Sequence, residues 1–334
     1  MSSQIVNTEV LKSVSFSALT PGKRLIVLGA VHGNEVCGTR GIERVIAELE
    51  SGSLRLTQGQ VTFVPITNPL AYQKEQRAGE RNLNRNLQPV AEPVDFEDRI
   101  ANVLCPLLAA HDVLLDLHSF HAAGEPFVML GPENNSGELE PFQLAAEEEA
   151  LALRLGPRRL VDGWLDTYAR GVKNRLNNTA VSERAHLLNT DPTYGIGTTE
   201  YMRANGGYAV TLECGQHKDP QAPEVAYQAI RNALAHLGLV DLPAPAARSS
   251  FELLRINEVI DRHHPADRFY QEWVSFYRLQ TGTVIGVRAD GEQVTATGAD
   301  YILFPNQNAV PGNEWFYFAK RSERLIDGRA GNTD

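Results

Sequence analysis

The chain has 334 residues, a formal charge of −10, and 43% hydrophobic, 7% aromatic and 22% charged residues, the profile of an ordinary globular protein with ample length for a core. The acidic balance disfavours nucleic acid or an anionic membrane as a partner, since no basic face is available to displace counterions from phosphate. Three cysteines, Cys37, Cys105 and Cys214, are an odd number without C-x-x-C spacing, which argues against a disulfide framework or a Cys-based metal site. Met1 to Val10 has neither a basic nor an apolar leader pattern, and no apolar run approaches the ~20 residues of a bilayer span, so the expected location is cytoplasmic.

In chain order, Leu25 to Leu28 reads as a buried strand that breaks at Gly29, and Val36 to Leu49 resumes with helical spacing. His32 and Glu35 lie in the turn between them, where a parallel α/β sheet presents ligands beyond the carboxyl end of a strand. Gln60 to Ile66 reads as a second strand, Lys74 to Asn86 as a long polar loop, and Phe96 to Ala110 as an amphipathic helix bent or restarted near Pro106. Val113 to Leu117 is a strand running into His118 and Ser119. Pro126 to Leu130 is a further strand, and Pro141 to Leu155 an acidic helix closed by Gly156-Pro157. The stretch Asp162 to Gly207, rich in Asn, Thr and Gly, is expected to be irregular and functional or disordered. Tyr208 to Leu212 is a strand ending in Glu213, and Ala222 to Leu237 is a helix with Gly238 placed for its C-terminal cap. Pro243 to Ser250 is the linker candidate. Beyond it come short β-like runs, including Gly282 to Arg288, a turn at Asp290-Gly291, and Tyr301 to Phe304. The expected organisation is an α/β domain over residues 1–242 and a smaller β-rich domain over 250–334.

Three predicted strand ends therefore carry ionisable residues: His32 with Glu35, His118, and Glu213. In a parallel sheet such ends converge along one edge. Two imidazoles and a carboxylate suit a catalytic zinc site, which has three N/O ligands and an open position. Glu213 is then left as a general base for metal-assisted hydrolysis. Taken singly, His118 could bond within its strand end, with Asp116 as a partner or as an orienting group. Glu213 could equally cap a helix or pair with an arginine. Arg77, Arg81, Arg85 and Arg203 fall in loop-like stretches, and Asn84-Arg85 offers donors to both oxygens of one carboxylate, so the inferred substrate is anionic.

Four motifs in this order, Gly29 to Glu35 (GAVHGNE), Glu80 to Arg85 (ERNLNR), Asp116 to Ser119 (DLHS) and Thr211 to Gly215 (TLECG), resemble the succinylglutamate desuccinylase/aspartoacylase family, within the zinc-carboxypeptidase-like group. Asp300 to Asn306 (DYILFPN) resembles that family's C-terminal domain. The resemblance implies a mixed, mostly parallel sheet flanked by helices, with the β-rich domain partly covering the cleft. It implies one Zn2+ per subunit held by His32, Glu35 and His118, with Glu213 as general base and Arg77 polarising the scissile carbonyl. Asn84, Arg85 and Arg203 would bind substrate carboxylates. The expected activity is cleavage of the acyl amide of a small anionic N-acyl amino acid. The alternatives are a metallocarboxypeptidase acting on peptide C-termini and a non-catalytic carboxylate-binding relative. Homo-oligomerisation is left open. Two departures bear on the substrate: Asn82 stands where the family has Asp, and Val310 to Asn313 falls where aspartoacylases carry a Tyr, for which Tyr301 and Tyr317 are candidate substitutes.

Overall fold

The computed structural model describes residues 7–177, 191–298 and 300–331. In chain order its first half comprises β1 (Val14–Ser17), β2 (Arg24–Leu28), α1 (Cys37–Ser51), β3 (Gln60–Val64), α2 (Pro69–Gln73), α3 (Phe96–Ala109), β4 (Val113–Phe120) and β5 (Phe127–Met129). There follow α4 (Ala145–Ala152), β6 (Arg159–Asp162), α5 (Trp164–Asn177), α6 (Thr198–Ala204), β7 (Tyr208–Gln216) and α7 (Ala222–His236). The remainder is β8 (Glu252–Asp261), β9 (Arg268–Phe269), β10 (Tyr277–Arg278), β11 (Val284–Val287), β12 (Gln293–Thr295), β13 (Tyr301–Leu303) and β14 (Glu314–Arg321).

The apolar runs are continuous rather than alternating because the central strands are covered on both faces. Leu25 and Val27 pack with Ile42, Val45 and the Ala226–Ala233 side of α7. Ile26 and Leu28, pointing the other way, pack with Ile100, Leu104 and Leu108 of α3 and with Met202. Asp95 caps α3 by accepting from the Asp98 N–H at 2.7 Å, and Pro106 lies inside that helix. Gly238 follows the end of α7 with φ of 68°, the left-handed position expected of it.

The described strands form an eleven-stranded sheet in the order β1-β3-β2-β4-β7-β5-β6-β8-β14-β13-β10, and a three-stranded sheet, β12-β11-β9. The large sheet is parallel through β3-β2-β4-β7, with antiparallel pairing at β1, between β5 and β7, and from β8 to β10. This is the mixed, helix-flanked α/β architecture expected. The division proposed between residues 242 and 250 falls between α7 and β8, and β8 joins the large sheet through parallel pairing with β6.

Three local expectations are corrected. The stretch from Asp162 to Gly207 is not irregular in its described part: it holds α5, a short 3-10 turn at Pro192–Gly195, and α6. Leu165, Tyr168, Ala169 and Val172 are all buried at helical spacing, which anchors α5 despite its polar remainder. Residues 178–190 of that stretch, and residues 1–6, lie outside the described residues. The strands β4 and β7 also outrun their apolar segments, so His118 and Glu213 sit within ladders rather than after them. Finally, the helix expected over Pro141 to Leu155 is shorter, Ala145–Ala152.

Candidate functional site

Backbone geometry sets the first part of the site. After β2 the chain turns through Ala30, whose φ of 46° is left-handed and uncommon for a residue with a Cβ. At Gly33 any Cβ would overlap the carbonyl of Ala71, at 1.9 Å from its carbon. A larger residue would push apart the turn that carries His32 and Glu35. Both side chains are buried.

His118 enters from β4. The His32 and His118 rings lie 4.9 Å apart at 66°. Glu35 bridges them: its Oε1 is 2.9 Å from His32 Nδ1, and its Oε2 is 2.9 Å from His118 Nδ1. The two Nδ1 atoms are 3.2 Å apart. The Ser119 N–H donates to Glu35 Oε2 at 3.0 Å and fixes that carboxylate. The three residues are a buried group able to hold a metal ion, with one ligand atom each lying within 4.8 Å of the others.

The outer ring atoms explain which nitrogens face inward. Asn82 Oδ1 accepts from the Asn84 backbone N–H at 2.9 Å, which assigns its amide orientation. That same oxygen lies 3.0 Å from His32 Nε2, so the His32 proton is assigned to Nε2 and the Nδ1 lone pair points at the cluster. On the other side, His118 Nε2 lies 2.9 Å from Asp116 Oδ2. Asp116 is itself hydrogen-bonded by the Thr198 hydroxyl. Asn82 is thus the acceptor that orients His32, and Asp116 is the carboxylate beside His118 Nε2, close enough for a charge contact.

The electrostatics follow from burial and these neighbours. Burial and the Arg77 guanidinium push His32 down to about 4, leaving the neutral imidazole that ligates metals. Burial disfavours the charged form of His118, but the Asp116 and Glu35 carboxylates outweigh it and hold the ring well above its ordinary value. Glu35 is buried too, yet both histidines keep it ionised, well below the usual carboxylate value. A cation among these atoms would meet one carboxylate and the lone pairs of two oriented rings, competing with the His118 Nδ1 proton for the same donors.

Glu213 is the direct neighbour of His118, because β4 and β7 are parallel and pair His118 with Glu213 in register. Residues so paired project from the same face of a sheet. Glu213 is buried, and its Oε2 has no hydrogen-bond partner. Burial and the nearby Glu35 charge push it up to about 8, so it can take and return a proton near neutral pH. Arg77 Nη1 donates to Glu35 Oε1 at 2.9 Å and approaches His32 Nδ1 at 3.2 Å, while the side chain stays half exposed.

These groups open on a cleft of about 860 Å³ lined also by Arg85, Glu314 and Tyr317. That volume suits a small molecule. The Arg85 guanidinium lies over Trp164 at 4.7 Å and near Tyr168 at 5.8 Å, two residues of α5 that sequence reasoning did not single out. Asn84 Oδ1 accepts from the Thr198 N–H at 2.9 Å, leaving its Nδ2 without a partner among the described residues. Arg203 is placed differently. It lines the cleft but is buried against carboxylates, donating from Nε to Glu148 and from Nη1 to Glu140, both at 2.8 Å. Arg81 is likewise held by Asp95 and Asp98, each at 2.8 Å. Tyr317 is buried and lines the cleft, whereas Tyr301 does not line it. Ser119 Oγ and His217 Nδ1, 2.8 Å apart, form a further pair in the wall, absent from the sequence reading because His217 lies beyond the TLECG motif.

Residues 21–156 match the family model described as the succinylglutamate desuccinylase/aspartoacylase catalytic domain. That segment of the chain is similar to the family's catalytic domain. Three of the four motifs, GAVHGNE, ERNLNR and DLHS, fall inside the matched segment, and TLECG lies beyond it. The chain is 22% identical to a succinylglutamate desuccinylase of Vibrio vulnificus over 318 residues, 92% of this chain and 84% of the relative. Among solved structures it is similar to a succinylglutamate desuccinylase/aspartoacylase of Rhodobacter sphaeroides, at a TM-score of 0.68 and 16% identity, covering 93% of this chain and 89% of that one. It is also similar to the ectoine utilization protein EutE (DoeB) of Ruegeria pomeroyi, at a TM-score of 0.67 and 17% identity, covering 92% and 88%. At those identities the structural likenesses establish the shared fold. Succinylglutamate desuccinylase and aspartoacylase are the names of deacylases, and that activity is the matched family's and the relative's.

Proposed function

We propose that the protein is a zinc-dependent hydrolase cleaving the acyl amide bond of a small N-acyl amino acid. The observation that carries this reading is the buried His32–Glu35–His118 donor set beside Glu213, a buried carboxylate with an unpartnered oxygen in the same cleft. Two imidazoles and one carboxylate are the donor chemistry of a hydrolytic zinc site, and the His32 orientation set by Asn82 and the Asp116 carboxylate beside His118 fit it. When bound, Zn2+ would supply Lewis acidity toward the scissile carbonyl and make a nearby water easier to deprotonate.

The remaining chemistry falls to side chains of the chain. Glu213 takes the proton of the attacking water and returns it to the leaving amine. Arg77, half exposed beside the cluster, donates to the carbonyl oxygen as negative charge develops there. Arg85, braced on Trp164, and the free amide of Asn84 grip the substrate carboxylate. Arg203 acts by holding Glu148 and Glu140 in the wall, and the part expected of it as a direct substrate grip is reassigned to Arg85. Residues 304–317 of the C-terminal segment contribute Phe304, Asn306 and Glu314 to the cleft wall, which favours small substrates over peptide chains. The site needs no second subunit in this scheme, and no helix among the described residues is long and apolar enough to cross a membrane.

The test is hydrolysis of N-acetyl and N-succinyl amino acids beside C-terminal dipeptides by zinc-loaded protein. Release of free amino acid from the N-acyl compounds supports the reading. Cleavage of the dipeptides alone would move it to a carboxypeptidase, and no cleavage with zinc bound would move it to a binding protein.

A further inference from the structure

The charged groups of the cleft differ in whether the protein already uses them. Arg81 and Arg203 are held by internal carboxylates, and Arg255 is shared between Asp162 at 3.4 Å and Asp166 at 3.3 Å. Arg77 is engaged by Glu35. Arg85 differs: its Nη1 donates to the carbonyl of Asn84 at 2.8 Å, and its Nη2 lies 3.9 Å from Glu314 Oε1, too long for a hydrogen bond. That edge is loosely ion-paired and keeps its hydrogen-bonding capacity.

Glu314 is the counterpart. It opens β14, lines the same cleft, is 24% exposed at the side chain, and makes no hydrogen bond through its carboxylate to any described residue. The other acids of the wall are occupied: Glu140 by Arg203, Glu200 by the Gly197 N–H and Thr199, and Asp166 by Arg170 and Arg255. Glu213 belongs to the metal cluster's surroundings. The cleft thus presents a guanidinium and a carboxylate side by side, a loose ion pair at 3.9 Å whose members keep hydrogen-bonding capacity for a ligand. It is a dipolar site rather than a cationic one.

A ligand with several carboxylates would satisfy Arg85 and set its next carboxylate against Glu314, a like-charge contact in a recess partly closed to water. A ligand with one carboxylate and one ammonium meets both partners with charge-assisted hydrogen bonds. We infer that the cleft selects N-acyl amino acids bearing a single carboxylate and a cationic group, Arg85 holding the first and Glu314 the second. This rests on the deacylase reading above, and it departs from the anionic substrate expected from the sequence.

The experiment compares kcat/KM of the zinc-loaded full chain for Nα-acetyl-ornithine, N-acetyl-methionine, N-acetyl-aspartate and N-succinyl-glutamate, with the wild type, Glu314→Gln and Glu314→Arg. The wild type is expected to favour Nα-acetyl-ornithine over the acidic compounds by about tenfold or more. Glu314→Gln is expected to erase that preference through KM, and Glu314→Arg to shift it toward N-acetyl-aspartate and N-succinyl-glutamate. A wild type that prefers the acidic compounds, or a Glu314→Gln protein with an unchanged ratio, overturns the inference and leaves the deacylase reading standing. If the wild type hydrolyses none of the four, the deacylase reading fails. Calorimetric titration of the same compounds into the same proteins then reads selectivity directly, and tighter binding of the acidic pair overturns the inference.

Discussion

Asn82 shows how one side chain fixes the chemistry of another. Its amide is oriented by the Asn84 N–H, and its oxygen in turn orients His32. The sequence marked this position as a departure that removed a charge, but the acceptor function survives in the amide. Asn82→Ala should therefore lower zinc affinity about 10- to 100-fold, measured by competition with a chromophoric chelator, while Asn82→Asp keeps or raises it. Unchanged affinity in Asn82→Ala would remove Asn82 from the orientation of His32. Glu213 is the second residue whose isolation predicts an outcome. Glu213→Gln should cost turnover by a factor on the order of 10²–10⁴ and leave zinc content intact, since it removes the proton acceptor and none of the donors. Lost zinc in that variant would assign Glu213 to the ligand set instead. At this scale the candidate ligands, Asn84-Arg85 and Glu213 were readable as motifs. The commitments of Arg81 and Arg203 were not, because their carboxylate partners lie on other elements, Glu148 being far from Arg203 in sequence.

Elements were legible where burial was symmetrical. β2, β3, α1, α3 and α7 appear as uninterrupted apolar runs or helical periods because one packing environment spans the whole element. β4 and β7 were cut short in the sequence reading. Their final residues are polar because the ladder continues into the site, and polarity there reads as a turn. α5 was missed for the opposite reason: its buried positions are few, and Asp166, Arg170, Lys173 and Asn174 interrupt them. The small C-terminal sheet shows a similar dependence on a polar anchor. Asp267 is buried and accepts from the backbone of His263, His264 and Ala289 and from Arg288, the latter at 3.1 Å. Burial opposes its charge, but these donors outweigh it and hold the carboxyl below its usual value. Its contribution to stability is therefore present at neutral pH and lost as pH falls through the folded-state value. Asp267→Asn should destabilise the protein by about 3 kcal/mol in urea unfolding at pH 7 and by less as the solution is acidified. A pH-independent difference would assign the loss to packing alone.

For the whole molecule, the sheet order gathers the site. β2, β4 and β7 are neighbours, so residues from three distant stretches reach one sheet edge, and the return of β14 into the same sheet brings Glu314 and Tyr317 to the opposite wall. Topology of this kind was visible only as an expectation, because strand order is not written in any single segment. A cation that displaces the His118 proton binds the donor set gathered by the fold and not the unfolded chain, so zinc and folding are linked. At free zinc of one hundred times Kd the stabilisation should be about 2.7 kcal/mol, seen as a rise in melting temperature on loading and its reversal by a chelator. The most direct measurement is zinc content by elemental analysis after exhaustive dialysis of the wild type and His118→Ala. The account predicts one zinc per chain in the first and little in the second. Wild-type protein that retains no zinc, or a His118→Ala variant that retains as much as the wild type, would contradict it.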